Sequence, residues 1–159
     1  MNRAMRGFSL IEILMVVTII GILSVVVLTS ISTARNRSID ASVKENLHTV
    51  RNQAELFYAN AGRYGTQVAV QGTGITEAPS YNASGAHFLI SDRSANSALR
   101  QALQDSDDGF FAIGVNGQTW AVAVSLKTVT GYWCVDANAE GKVITTTSLA
   151  GGTSAARCP

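Results

Sequence analysis

The chain of 159 residues carries twelve Lys and Arg against eleven Asp and Glu, a formal charge of +1, and 47% of its residues are hydrophobic. So near-neutral a chain has no general electrostatic attraction for nucleic acid or an anionic membrane surface, and nucleic acid as a partner goes unsupported. Roughly 125 residues follow its most apolar run, enough for one modest core, and there is no internal repeat or low-complexity tract.

That run comes first in the chain, GFSLIEILMVVTIIGILSVVVLTSI from Gly7 to Ile31. As a helix, Phe8–Ile31 would extend about 36 Å, longer than a hydrocarbon core of about 30 Å. Arg3 and Arg6 precede it, and positive flanks stay on the cytoplasmic side. The N-terminus is therefore predicted inside, with the rest of the chain exported. Glu12 is the single charge within the run. A carboxylate deep in a membrane helix costs roughly 2.5–3.5 kcal/mol on insertion scales. Four residues in from Phe8, it can either snorkel to the interface or meet a cation. If the chain were cut between Gly7 and Phe8, the new amino group would be one, and that of a subunit packed alongside, rather than its own, could meet Glu12. An ordinary secretory signal, with Ser32-Thr33-Ala34 as its cleavage site, has an apolar region of about 7–15 residues, shorter than this one. A plain anchor leaves Glu12 unexplained.

Arg6-Gly7-Phe8-Ser9-Leu10-Ile11-Glu12 ahead of an apolar run closely resembles the class III signal of type IV pilins and type II secretion pseudopilins. The resemblance implies that a prepilin peptidase cuts after Gly7 and methylates the amine of Phe8. It implies also that Glu12, with the Phe8 amine, guides subunit docking. Residues 1–7 would be the leader, 8–32 the transmembrane and filament-core helix, and 33–159 an amphipathic helix with a globular head. Loss of Arg3 and Arg6 leaves ten bases against eleven acids, a mature charge near −1.

The helical pattern continues past the membrane run. Ile39, Val43, Leu47, Val50, Ala54 and Phe57 step by three and four, which keeps one apolar face. Arg35, Arg37, Asp40, Lys44, Glu45, Arg51 and Glu55 fall between them and read as a solvated face. Gly62 is the expected residue past the helix end. One continuous helix from Phe8 to Ala61 would be about 80 Å long. Gly21, Ser24, Thr29, Ser30 and Ser32 allow close helix approach in a bilayer. Many type IV pilins have a proline in this stretch, where the helix can melt on assembly. This chain has Thr29 near that place and no proline before Pro79.

From Arg63 to His87 glycines and small polar residues predict an irregular stretch, in the order of the variable loop between helix and sheet in pilins, with a short strand around Gln67–Val70. Ser94–Gln104 is predicted as a short helix with Ala98, Leu99, Ala102 and Leu103 on one side. Asp105–Gly109, DSDDG, invites a calcium reading, but it lacks the ligand at twelve-residue spacing of a calcium-binding helical hairpin, so a solvated turn is expected. Phe110–Val115 and Thr119–Lys127 read as strands joined at Asn116-Gly117, a hairpin signal. Tyr132–Asp136 and Lys142–Thr147 form a second pair across Ala137–Gly141. One face of the sheet is expected on the helix and the other in water. The fold class is α+β and pilin-like: a long N-terminal helix, an antiparallel sheet of about four strands and a disulfide-bounded C-terminal region.

Cys134 and Cys158 are the only cysteines, and an even count in an exported chain reads as a disulfide. Closing about 25 residues is worth roughly 3–4 kcal/mol in the chain-entropy model. Two cysteines make a poor metal site, and no metal or other cofactor is expected. His48 and His87 have no sequence-level partner, and no phosphate-cradling loop or nucleophile motif appears. The chain does not read as an enzyme.

The function expected from the resemblance is a structural subunit of a type IV pilus, serving adhesion, motility or DNA uptake. The alternatives are a type II secretion pseudopilin and a minor pilin acting as a binding subunit. Implied partners are further copies of the chain, other pilins, prepilin peptidase, and the inner-membrane assembly platform with its ATPase. The precursor would sit in the inner membrane as a single-pass protein, the filament at the cell surface.

Overall fold

The computed structural model describes residues 7–66, 70–82, 85–104, 106–138, 141–145 and 156–159. Arg3, Arg6, the start of the strand expected at Gln67, Asp105 and the end of the strand expected at Thr147 lie outside them. The elements run α1 (Leu10–Ala61), β1 (Val70–Gly72), α2 (Phe88–Ser91), α3 (Arg93–Gln104), β2 (Gly109–Ile113), a 3₁₀ turn (Val115–Gly117), β3 (Trp120–Ser125), β4 (Tyr132–Asp136) and β5 (Lys142–Ile144). Contacts divide the chain into two compact units, Met1–Asn36 and Arg37–Pro159. Helix α1 contributes to both.

The first unit is helical from Leu10 onward, and its large apolar side chains from Leu10 to Ile31 are exposed, Ile19 at 47% and Leu10 at 84%. Among the described residues of this unit no side chain covers them. Hydroxyls along this stretch turn back onto their own helix: Thr18 Oγ1 donates to Met15 O at 2.8 Å, Ser24 Oγ to Ile20 O at 2.8 Å and Ser30 Oγ to Val26 O at 3.1 Å. Such bonds satisfy the polar atoms where no water is at hand.

In the second unit, residues 37–61 of α1 lay the predicted stripe on the sheet. Val43, Leu47, Val50 and Ala54 are almost wholly buried, and Ile39 and Phe57 pack at the margin. Each fully buried aliphatic chain contributes about 1.5–3 kcal/mol, so this stripe is the main attachment of helix to head. Asp40 is a correction to the solvated face: it is 5% exposed. Its Oδ1 accepts the Lys127 amide at 2.6 Å and its Oδ2 the Thr128 amide at 3.0 Å, with the Thr128 hydroxyl as a third donor. Burial pushes this carboxyl upward, but the bonds from Thr128 and Lys127 and the charge of Lys44 outweigh it, holding it below 3.8. The loop after β3, at Lys127 and Thr128, covers it.

Helix α1 ends as expected. Gly62 has φ +70°, and its amide donates to Tyr58 O at 2.7 Å, the left-handed stop that glycine adopts without strain.

The sheet is antiparallel throughout, in the order β1-β2-β3-β4-β5. The four strands expected after α3 are present, and β1, described as Val70–Gly72, adds a short fifth at the edge. The pairs Phe111↔Val122 and Ile113↔Trp120 face α1, while Phe110↔Ala123 and Ala112↔Ala121 face away. Asn116 and Gly117 both take positive φ, as the hairpin signal requires, yet the ladder closes at Ile113↔Trp120 and leaves a longer connection. A side chain at Gly117 would lie 2.3 Å from Gly65 O, so here the chain needs glycine for close approach as well as for its φ.

The outer face of the sheet is not in water. Phe110, Ala112, Ala121, Ala123, Cys134 and Ile144 form a second buried cluster with Ala156 and Cys158 of the C-terminal segment. The Cys134–Cys158 disulfide, with Cα atoms 5.9 Å apart, holds that segment there. Asp136 Oδ2 accepts the Cys158 amide at 2.9 Å, and Thr119 Oγ1 the Ala156 amide at 3.0 Å. Ala156 and Cys158, seated on that face, replace the alternation into water that the strands alone predict.

α3 matches the predicted helix, with Ala98, Leu99, Ala102 and Leu103 buried. The turn before β2 has its oxygens in use. Asp107 pairs with Lys127 at 2.5 Å, Asp108 Oδ1 accepts the Gly109 amide at 2.7 Å, and Ser125 Oγ accepts the amides of both aspartates.

Candidate processing and assembly site

Gly7, Phe8 and Glu12 fall together at the start of α1. Residues 7–9 are non-helical and exposed, so a peptidase could reach the peptide bond between Gly7 and Phe8. A Cβ built on Gly7 would meet nothing within 4 Å; the chain itself makes no demand for glycine there. Phe8 is 82% exposed.

Ser9 stands just before the first helical residue. Its amide donates to Glu12 Oε2 at 2.9 Å, and the Glu12 amide returns a bond to Ser9 O at 3.1 Å. Ser9-Leu10-Ile11-Glu12 is thus one half of a capping box, in which the acid three residues on satisfies the cap residue's own amide. Phe8 and Ile13 stand at the positions of a hydrophobic staple. The S-x-x-E spacing was available in the sequence and went unused there. It gives Glu12 a role within its own chain: a negative charge in the first turn, where the helix dipole favours it, with only one of its two oxygens engaged by that bond.

Helix α1 is the one helix among the described residues that is long and apolar enough to cross a membrane, with a mean hydropathy of 2.9 over its best window. Residues 2–28 match the model of the prokaryotic N-terminal methylation motif. The chain begins with a class III prepilin signal. No curated protein and no solved structure matches the chain. The signal is a processing and methylation motif, and it covers residues 2–28 alone. It also accounts for the exposed apolar side chains of the first unit.

The remaining site residues belong to the second unit. Cys134 and Cys158 are bonded to each other. His87 is 3% exposed, with no hydrogen-bond partner for Nδ1 among the described residues, and lies against the Phe111 ring at 5.5 Å. Burial lowers its pKa from 6.5 to about 4. His48 is exposed on α1, with Nδ1 3.2 Å from Asn52 Nδ2. Two residues that sequence reasoning missed are Asp40 and Asp136, the buried carboxylates that hold the loop after β3 and the C-terminal segment. The partners that mark their structural roles are 87 and 22 residues away, although Asp136 also accepts the Asn138 amide two residues on.

Proposed function

We propose that this chain is the structural subunit of a type IV pilus. The precursor is held in the cytoplasmic membrane by residues 8–32, prepilin peptidase removes residues 1–7, and the amine of Phe8 is methylated. Copies then leave the membrane for an extracellular helical filament with these helices at its centre and residues 33–159 outside. The observation that carries this reading is the methylation motif over residues 2–28, set on a helix whose apolar side chains from Leu10 to Ile31 are exposed among the described residues.

The chemistry of each step follows from the same residues. Cleavage exposes an amine four residues from Glu12. In a packed set of helices that amine is a cation without water, and an unpaired buried charge is costly. The carboxylate of a neighbouring Glu12 supplies the partner and fixes axial register, while the bond to Ser9 keeps that carboxylate at the helix start. The disulfide fits an exported head in either kind of filament, since the periplasm and the cell surface are both oxidising. Other pilins, the membrane platform and an assembly ATPase are the partners that this reading requires.

N-terminal analysis of the protein in sheared surface material tests the reading. The expected product starts at Phe8 with a methylated amine, and Gly7→Val accumulates precursor, since no contact in the chain obstructs a side chain and only the peptidase would. A mature protein starting at Arg35, or normal maturation of Gly7→Val, would overturn it.

A further inference from the structure

The second unit carries a groove that the filament reading does not use. It lies between α1 and β4 and has a volume of about 530 Å³, within the range of roughly 300–1,000 Å³ of small-ligand sites. One wall is a column of Lys44, His48 and Arg51, spaced four and three residues so that all share a helix face. The column rises about 10 Å. Glu45 stands beside it, and the floor is Trp133 and Val135. Lys44 Nζ sits 4.8 Å from the centre of the Trp133 ring. Gly141 closes the far side, where a Cβ would come within 2.5 Å of the indole. His48 Nδ1 lies 3.2 Å from Asn52 Nδ2 on the same helix.

We propose that this groove binds a short acidic carbohydrate, a sugar chain that bears carboxylates beside free hydroxyls. Lys44 and Arg51 take the carboxylates, and Arg51 can do so through two parallel bonds. Glu45 accepts from hydroxyls, and the apolar floor receives the C–H face of a sugar ring. Glu45 is the residue that chooses this class over a uniform polyanion. A nucleic acid strand laid along the column would bring phosphate against that carboxylate, and like charge in a site works as rejection. The mature chain's near-neutral balance likewise offers a polyanion no long-range attraction.

The full-length chain in neutral detergent micelles is titrated with trigalacturonate, with its methyl ester and with single-stranded oligothymidylate. Tryptophan emission is the readout: Trp120 is fully buried, so Trp133 carries the response. Trigalacturonate is expected to change the emission saturably, and Trp133→Phe to abolish the change. Lys44→Gln and Arg51→Gln each weaken binding about tenfold, the loss of one charge-assisted contact. The methyl ester binds far more weakly. Glu45→Gln weakens trigalacturonate and strengthens oligothymidylate. The proposal is overturned by the absence of a saturable response, by equal binding of the methyl ester, by oligothymidylate binding as tightly as the uronate, or by indifference to Lys44 and Arg51. None of these readouts requires a filament.

Discussion

Glu12 accepts a bond from its own Ser9, so removing it has two separable consequences. Glu12→Gln keeps an oxygen for the Ser9 amide and loses only the charge. Glu12→Ala loses the cap as well, worth about 1 kcal/mol at a helix start. If the charge serves assembly, both variants insert and are cleaved, and sheared filaments fall at least tenfold in both. Normal filament yield from Glu12→Gln with a reduced yield from Glu12→Ala would assign Glu12 to capping alone. His87 acts at the same scale in the head. The unfolded chain binds its proton below pH 6.5 and the folded one only near 4, so stability is complete above 6.5 and falls as pH drops through that window. The full loss is about 3 kcal/mol, at 1.36 kcal/mol per pKa unit. Urea unfolding between pH 7 and 4 should show it, and His87→Leu should flatten that part of the profile.

Among elements, the joint between α1 and the loop after β3 rests on Asp40. Three donors converge on its carboxylate, and hydrogen bonds to a charged acceptor are the stronger ones. Asp40→Ala is expected to lower unfolding free energy by about 3 kcal/mol, and Asp40→Asn by about 1 kcal/mol. Its depressed pKa makes its contribution present above the unfolded value and lost as pH falls through the folded one. Because this lies below 3.8, it separates from the His87 window. Wild-type stability of Asp40→Ala would show that apolar burial of Val43 and Leu47 holds the joint unaided.

At the scale of the whole molecule, the second unit is a sheet buried on both faces, by α1 and α3 on one and by the C-terminal segment on the other. The described part of the outer layer that reaches the cluster is Ala156 and Cys158, and the disulfide ties it on. Cys158→Ser should expose Phe110 and Tyr132, raise the rate of proteolysis beyond Tyr132 severalfold and cost about 3 kcal/mol. The inner layer and cleavage after Gly7 should be unaffected. Unchanged protease resistance would mean that the amide bonds to Asp136 and Thr119 retain the tail without the bridge.

What the sequence by itself determined are the features carried by local spacing. Helical periodicity located the buried stripe from Val43 to Ala54, Gly62 marked the end of α1, alternation located the strands, and Arg6 to Glu12 carried the prepilin signal. These depend on contacts one turn or one strand away, so a short window contains them. Only the tertiary structure decided that Asp40 is buried, that His87 is dehydrated and that both faces of the sheet are covered. It alone set Lys44 and Arg51 across from Trp133. Each of these joins residues far apart in the chain, and a side chain's solvation depends on what folds over it, which no local pattern records.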